Sequence, residues 1–210
     1  MNTTKANVVL ILLVVLAFAC YNVAFAHPKV ALSFAPPSPV SSHVVQHSVA
    51  RPLRSASHFH SIVGPPTVTA SFINSVLRAA HSPAVGIGNV MYTLGVKYSI
   101  DPAFPLAFYH HESGYGEHGM ARTTLSIGNI RCTADYACDS TGGYRAYSSY
   151  AAGVKDWYQL MVEVYLPKGL TTVEKIIPVY APTADHNNES AYISSVLADV
   201  AVYRRGEVVA

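Results

Sequence analysis

From residue 72 onward, apolar residues recur three and four positions apart, the spacing of helix faces rather than of strands. Residues 72–80 form a short amphipathic stretch, and residues 90–98 form a second after a Gly-rich turn. The third start is the sharpest. Asp101 is a good N-cap and Pro102 occupies the first helical position, ahead of Phe104, Leu106, Ala107, Phe108 and Tyr109. A helix so apolar all round is predicted to be buried, and Gly114 and Gly116 end it near Ser113. In residues 153–165, Val154, Trp157, Tyr158, Met161 and Tyr165 again share one face. Thr171 with Glu174 makes a capping box for a short helix that Pro178 stops or kinks. A last helix over residues 189–203 aligns Tyr192, Val196, Leu197, Val200 and Tyr203. Residues 129–147 break the pattern. Their cysteine pair, Thr-Gly-Gly turn and alternating Tyr144, Arg145, Ala146 and Tyr147 predict a small disulfide-pinned β-hairpin. The expected fold is mainly α, with that single hairpin.

The N-terminal third is patterned differently. Residues 8–19 are an unbroken apolar run after Lys5, and Ala24-Phe25-Ala26 fits a small-x-small cleavage site before His27, the layout of an export signal. An uncleaved anchor is the alternative, because residues 8–26 nearly span a hydrocarbon layer of ~30 Å; lipidation at Cys20 is a third reading. Tyr21 and Asn22 interrupt the run and favour cleavage. All three readings place the remainder outside the cytoplasm, secreted or held at the cell envelope. Residues 27–66, rich in Pro, Ser, His and Val, read as an exposed spacer. Within them His58 and His60 read as solvated rather than metal-binding. Residues 67–205 are the expected folded domain.

Composition narrows the classes. A chain of 210 residues has room for one well-cored domain plus extensions. Only 12% of residues are charged and the formal net charge is +2, so neither a nucleic-acid-binding surface nor an acidic tail is indicated. Ten histidines mean that charge climbs as pH falls through about 6.5. With Cys20 inside the signal, Cys132 and Cys138 remain, which in an oxidising compartment reads as a local disulfide. Zinc is less favoured, since neither a second cysteine pair nor a closely spaced histidine pair completes four ligands.

Candidate chemistry concentrates in YHHESGYGEHG, residues 109–119. A His-Glu-x-x-His zinc site fails, because Tyr115 stands where the second histidine belongs and His118 lies beyond two glycines. An acid catalyst needs a carboxylate at the end of a buried helix, where apolar neighbours raise its pKa and keep it protonated. Glu112, flanked by Phe108, Tyr109 and Tyr115, has those ingredients. The plainer alternative is a solvated glutamate at a helix end. Asp135 and Asp139, inside the expected hairpin, are candidates for a second carboxylate, with Glu117 further off. Asn188-Glu189-Ser190 is a formal glycosylation sequon.

Four segments, in order, resemble a known family. GVKYSIDPAFPLAFYHHESGYGEHGMAR (95–122), LSIGNIR (125–131), YRAYSSYAAGVKDW (144–157) and VYAPTADHNNESAYISSV (179–196) are similar to the bacterial glucosaminidase domain of glycoside hydrolase family 73, also labelled mannosyl-glycoprotein endo-β-N-acetylglucosaminidase-like. The glycine of the second segment is displaced to before Asn129. The resemblance implies a lysozyme-like helical fold that cleaves N-acetylglucosaminyl β-1,4 linkages in peptidoglycan. It implies Glu112 as general acid and Tyr180 as a cleft tyrosine important for activity. Tyr115, Asn129, Tyr147 and Asp185 become substrate-groove or scaffold positions. Neither cofactor nor metal is implied. The expected partner is peptidoglycan or another GlcNAc-containing glycan, bound by a monomer that meets the membrane only through its N-terminus. A muramidase or lytic transglycosylase on the same fold, and a wall-binding module without catalysis, are the rival readings.

Overall fold

The structure, a computed structural model, describes residues 59–141 and 143–208. The signal, anchor and lipidation readings, and most of the spacer, lie outside the described residues. Among the described residues there are seven complete α-helices: α1 (Ala70–Ala79), α2 (Gly88–Tyr98), α3 (Ala103–Ser113), α4 (Ala121–Thr124), α5 (Tyr150–Leu160), α6 (Val173–Tyr180) and α7 (Glu189–Arg204). A π turn over Met161–Tyr165 and a 3-10 turn over Leu166–Lys168 prolong α5. None of these helices is long and apolar enough to cross a membrane.

Helix starts follow their caps. Thr69 accepts the Phe72 amide at the head of α1, Ser149 accepts Ala152 at α5, and Asn188 accepts Ala191 at α7. Helix α2 begins two residues before the predicted start for a non-local reason. Asn74, inside α1, accepts the Gly86 and Gly88 amides at 3.0 Å, so α1 supplies what a local cap would. At α3 the Asp101 carboxylate does more than cap. It accepts the amides of Ala103 (3.2 Å) and Thr67 (3.0 Å), the Thr67 hydroxyl (2.6 Å) and Arg204 Nη2 (2.9 Å). A charge this deeply buried (1% exposed) persists only with such partners. It joins the segment before α1, the head of α3 and the tail of α7.

Helix α3 runs through the core, and α7 packs along it. Phe104, Phe108 and Tyr109 of α3, Trp157 and Tyr158 of α5, and Tyr203 of α7 are fully buried, each ring contributing about 2–3 kcal/mol of apolar burial. Three links bind α7 to α3 and its end: Tyr192 to Glu112, Asp199 to His110 (2.6 Å) and Tyr203 to Tyr115 (2.5 Å). Positions 192, 199 and 203 share a face because seven and eleven residues are near-whole helical turns.

Three expectations are corrected. Among the described residues the predicted hairpin is absent. Those of 129–147 hold isolated bridges, Arg131 with Tyr144 and Cys138 with Arg145. The 143–146 segment is shared between two neighbours, with Arg145 N–H donating to Ile130 and Ala146 N–H donating to Ala137. Cys132 and Cys138, joined with Cα atoms 5.7 Å apart, curl the chain too tightly for a continuous ladder. The Tyr-Arg-Ala-Tyr alternation reflects Arg145 turning inward to Asp156 (2.9 Å), not a sheet face. The capping box does not form either. Thr172 is the residue at the head of α6 and makes no side-chain cap bond, while Glu174 is engaged by His60. The helix runs through Pro178 and ends at Tyr180. The domain also starts before Thr67. Ile62 is fully buried, its amide donates to Thr171 and its carbonyl accepts from Asp101. Phe59, Ile62 and Val63 stand among His, Ser, Gly and Pro in a stretch too short to show a periodicity.

Candidate active site

Helix α3 stops where three successive residues take left-handed backbones: Gly114 (φ 56), Tyr115 (φ 59) and Gly116 (φ 87). Gly114 closes the helix with its amide on His110 O at 2.7 Å. Gly116 has no substitute, because a Cβ there would strike the Tyr109 hydroxyl. Tyr115 carries the strain of a bulky left-handed residue, offset by a buried ring that bonds Tyr203 and by a carbonyl that accepts from Ser82 at 2.6 Å. This stop leaves Glu112 on the last turn, one residue before the end of α3.

Glu112 lines a groove of about 380 Å³. Asn129, Arg131, Tyr144, Tyr165, Tyr180 and Asp185 line it as well. Larger hollows of about 660, 570 and 410 Å³ lie beside the head of α7, against the segment before α1, and between Phe59–His60 and the end of α7, the last, among the described residues, lined by no carboxylate. Their carboxylates are already spoken for: Glu189 accepts from Thr183, and Asp101 is bonded as described. Glu112 differs from Glu189 in that burial raises its pKa, whereas the Thr183 hydrogen bonds hold that of Glu189 down.

The Glu112 carboxyl is held from two sides. Tyr192 donates its hydroxyl to Oε1 at 2.5 Å, and Asn129 Nδ2 donates to Oε2 at 3.1 Å. The same Nδ2 also reaches the Glu112 main-chain oxygen at 3.1 Å, which fixes the amide's orientation. Asn129 takes a left-handed backbone (φ 42), which Asn tolerates best after Gly. Burial pushes the Glu112 carboxyl above the usual carboxylate range, while the Tyr192 and Asn129 hydrogen bonds and the nearby Arg131 pull it down without prevailing. Tyr192 is itself gripped, with His111 stacked on its ring at 3.7 Å and Phe108 packed 5.7 Å away.

Tyr180 lines the groove and donates its hydroxyl to the Gly128 carbonyl. Only glycine fits at 128, since a Cβ would meet that hydroxyl and lie 2.6 Å from Trp157 Cδ1. Burial and then Glu112 push the Tyr180 phenol well above its ordinary range, so it stays a neutral donor. Asp185 lines the groove as well, 3.5 Å from Arg131.

Other sequence candidates fall elsewhere. Tyr115 is in the core, not the groove, because the left-handed turn swings it under α7. Tyr147 does not line the groove either; its hydroxyl donates to Asp156 at 2.5 Å, beside Arg145. Asp139 organises its own loop, accepting from the Thr141 hydroxyl (2.7 Å) and the Tyr144 amide (2.9 Å), which in that order pull its carboxyl below the ordinary range. Neither Asp139, Asp135 nor Glu117 is among the residues lining the groove. Sequence reasoning overlooked Tyr192 as a partner of Glu112 and Arg131 as a groove cation. Tyr192 was legible only as one of the buried-face residues of α7. Among the described residues, no three His, Cys, Asp or Glu side chains are grouped to hold a metal ion. Compared with known proteins, the chain matches no family model and no curated protein.

Proposed function

We propose that this chain is an exported glycoside hydrolase that cuts N-acetylglucosaminyl β-1,4 linkages of peptidoglycan, with Glu112 as its general acid. One observation carries the reading: a groove carboxyl whose burial favours the protonated form, with two donors already aimed at its oxygens. A general acid needs both properties. Burial keeps the proton on until a glycosidic oxygen takes it, and Tyr192 and Asn129 then stabilise the carboxylate left behind. As the C–O bond breaks, positive charge develops on the sugar, and a nucleophile closes the reaction. The four-segment resemblance to glucosaminidase domains supplies the substrate class.

A specific feature favours a substrate-derived nucleophile. Among the described residues lining the groove the other carboxylate is Asp185, which is 45% exposed and lies 3.5 Å from Arg131 rather than against Glu112. Attack by the substrate's own 2-acetamido group, or by its C6 hydroxyl as in a lytic transglycosylase, needs no second protein acid. Mass spectrometry of released fragments separates these outcomes, because transglycosylation leaves an anhydro end and hydrolysis a reducing end.

The deciding experiment is Glu112→Gln. Glycan binding and thermal unfolding should persist while release of soluble fragments from purified cell walls drops by at least ~10²-fold. Cleavage at the unmutated rate would overturn the mechanism. An unmutated protein that binds walls but yields neither reducing nor anhydro ends would instead be a wall-binding module.

A further inference from the structure

The two arginines of the groove differ sharply in what they are free to do. Arg145 is 7% exposed. Its guanidinium bonds Asp156 at 2.9 Å, reaches Thr133 at 3.3 Å and lies 3.4 Å from the centre of the Tyr136 ring. That cation is consumed by the fold. Arg131 is not. It is 62% exposed and, among the described residues, makes no hydrogen bond; its charged contact is Asp185 at 3.5 Å, longer than the 2.7–2.9 Å or so of a charge-assisted bond. Its guanidinium lies over the Tyr144 ring, 5.1 Å from the centre, which limits the planes it can take. The result is a guanidinium with unmet N–H donors lining the groove, two residues from the asparagine that holds the acid.

A planar fork of unmet donors matches a carboxylate. We infer that Arg131 forms a subsite for a carboxylate carried by the glycan beside the bond that Glu112 protonates; this rests on the glycan reading of the groove. In the free protein Asp185 occupies the position loosely. An incoming carboxylate replaces it, forming shorter, forked hydrogen bonds while releasing a weak, half-solvated pair that contributes little. Binding and chemistry are thereby linked. Arg131 pulls down the proton affinity of Glu112, so a ligand carboxylate that neutralises Arg131 helps the acid keep its proton until the bond breaks. In peptidoglycan the carboxylate has two sources: the lactyl ether of a peptide-free muramic residue, or the stem peptide where one is attached.

Calorimetry on the cleavage-deficient Glu112→Gln chain tests this with three tetrasaccharides. One is the neutral β-1,4 GlcNAc tetramer, the second alternates GlcNAc and muramic acid with free lactyl carboxylates, and the third carries stem peptides on those positions. At least one anionic ligand should bind more tightly than the neutral one, and which does so identifies the source. Adding Arg131→Gln should cut that anionic-over-neutral preference roughly ten-fold, the scale of a partly solvated charged hydrogen bond. Asp185→Asn should instead increase it, by removing the competitor. An equal preference with and without Arg131, or none at all, overturns the subsite while leaving glycan binding intact. Binding of none of the three ligands overturns the glycan reading and the subsite together. Should the double variant not fold, salt decides: the preference must shrink as salt rises, and a salt-independent preference overturns the inference.

Discussion

Replacing Tyr192 with Phe removes one oxygen and leaves the ring between His111 and Phe108. That oxygen donates to Glu112 Oε1 at 2.5 Å. A hydrogen bond to a charged partner contributes about 1.5–3 kcal/mol, and one to a neutral partner about 0.5–1.5 kcal/mol. The difference, about 1–1.5 kcal/mol, is what the bond gives the ionised form over the protonated form. Its loss therefore raises the Glu112 pKa further, because the protonated form loses less than the ionised one. Nuclear magnetic resonance titration of the Glu112 side-chain carboxyl measures this in the isolated protein, whatever the activity proves to be. If Glu112 is the proton donor, the basic limb of the pH–activity curve moves up by the same amount, since the acid works protonated. Stability supplies a second reading. Because burial raises the folded pKa, the folded state holds the proton more tightly than the unfolded chain. Stability therefore falls as pH rises from the unfolded carboxylate value through the folded one. Tyr192→Phe deepens that fall, so the stability gap between the two proteins widens with pH. A Glu112 titration that stayed put or moved down in Tyr192→Phe would refute the reasoning.

Three further outcomes probe the scaffold. Thiol titration of the unfolded, unreduced protein should find neither Cys132 nor Cys138 free, and reduction should cost about 2 kcal/mol in chemical denaturation; both thiols free would exclude the bond. Asp156→Ala strands the buried Arg145 guanidinium, which burial lowers and Asp156 raises above its ordinary pKa, and should cost about 3–5 kcal/mol by denaturant titration. Gly128→Ala forces a methyl against the Tyr180 hydroxyl and Trp157, and should lower stability by about 1–3 kcal/mol and the melting temperature with it; an unchanged melt would mean the loop before Asn129 yields freely.

The helices were legible where their signals were local. Asp101 and Pro102 marked α3, the Gly114 and Gly116 pair marked its end, and the spacing of Tyr192, Val196, Val200 and Tyr203 marked α7. What the sequence concealed was settled at a distance. Asn74 starts α2 from inside α1, across twelve residues. Glu174 is drawn from its expected cap to His60, 114 residues away. Arg145 breaks the hairpin pattern by pairing with Asp156 on α5. In each case a side chain that local rules assign to its own element serves another.

The site divides along the same line. Glu112 was legible because an acid near the end of an all-apolar helix is anomalous, and such a group is either solvated or put to use. Tyr192 carries no such mark. Tyrosine belongs on a buried face as readily as phenylalanine, and its hydroxyl gains meaning only when packing brings it to a charged oxygen. Tyr115 shows the converse error: it follows Glu112 closely in sequence, yet three left-handed residues turn it away from the groove and into the core. Nearness in sequence therefore says little beyond a helix stop. The residues that set the behaviour of Glu112 come from the loop after α4 and the first turn of α7, 17 and 80 positions away, and they meet only because α7 packs along α3.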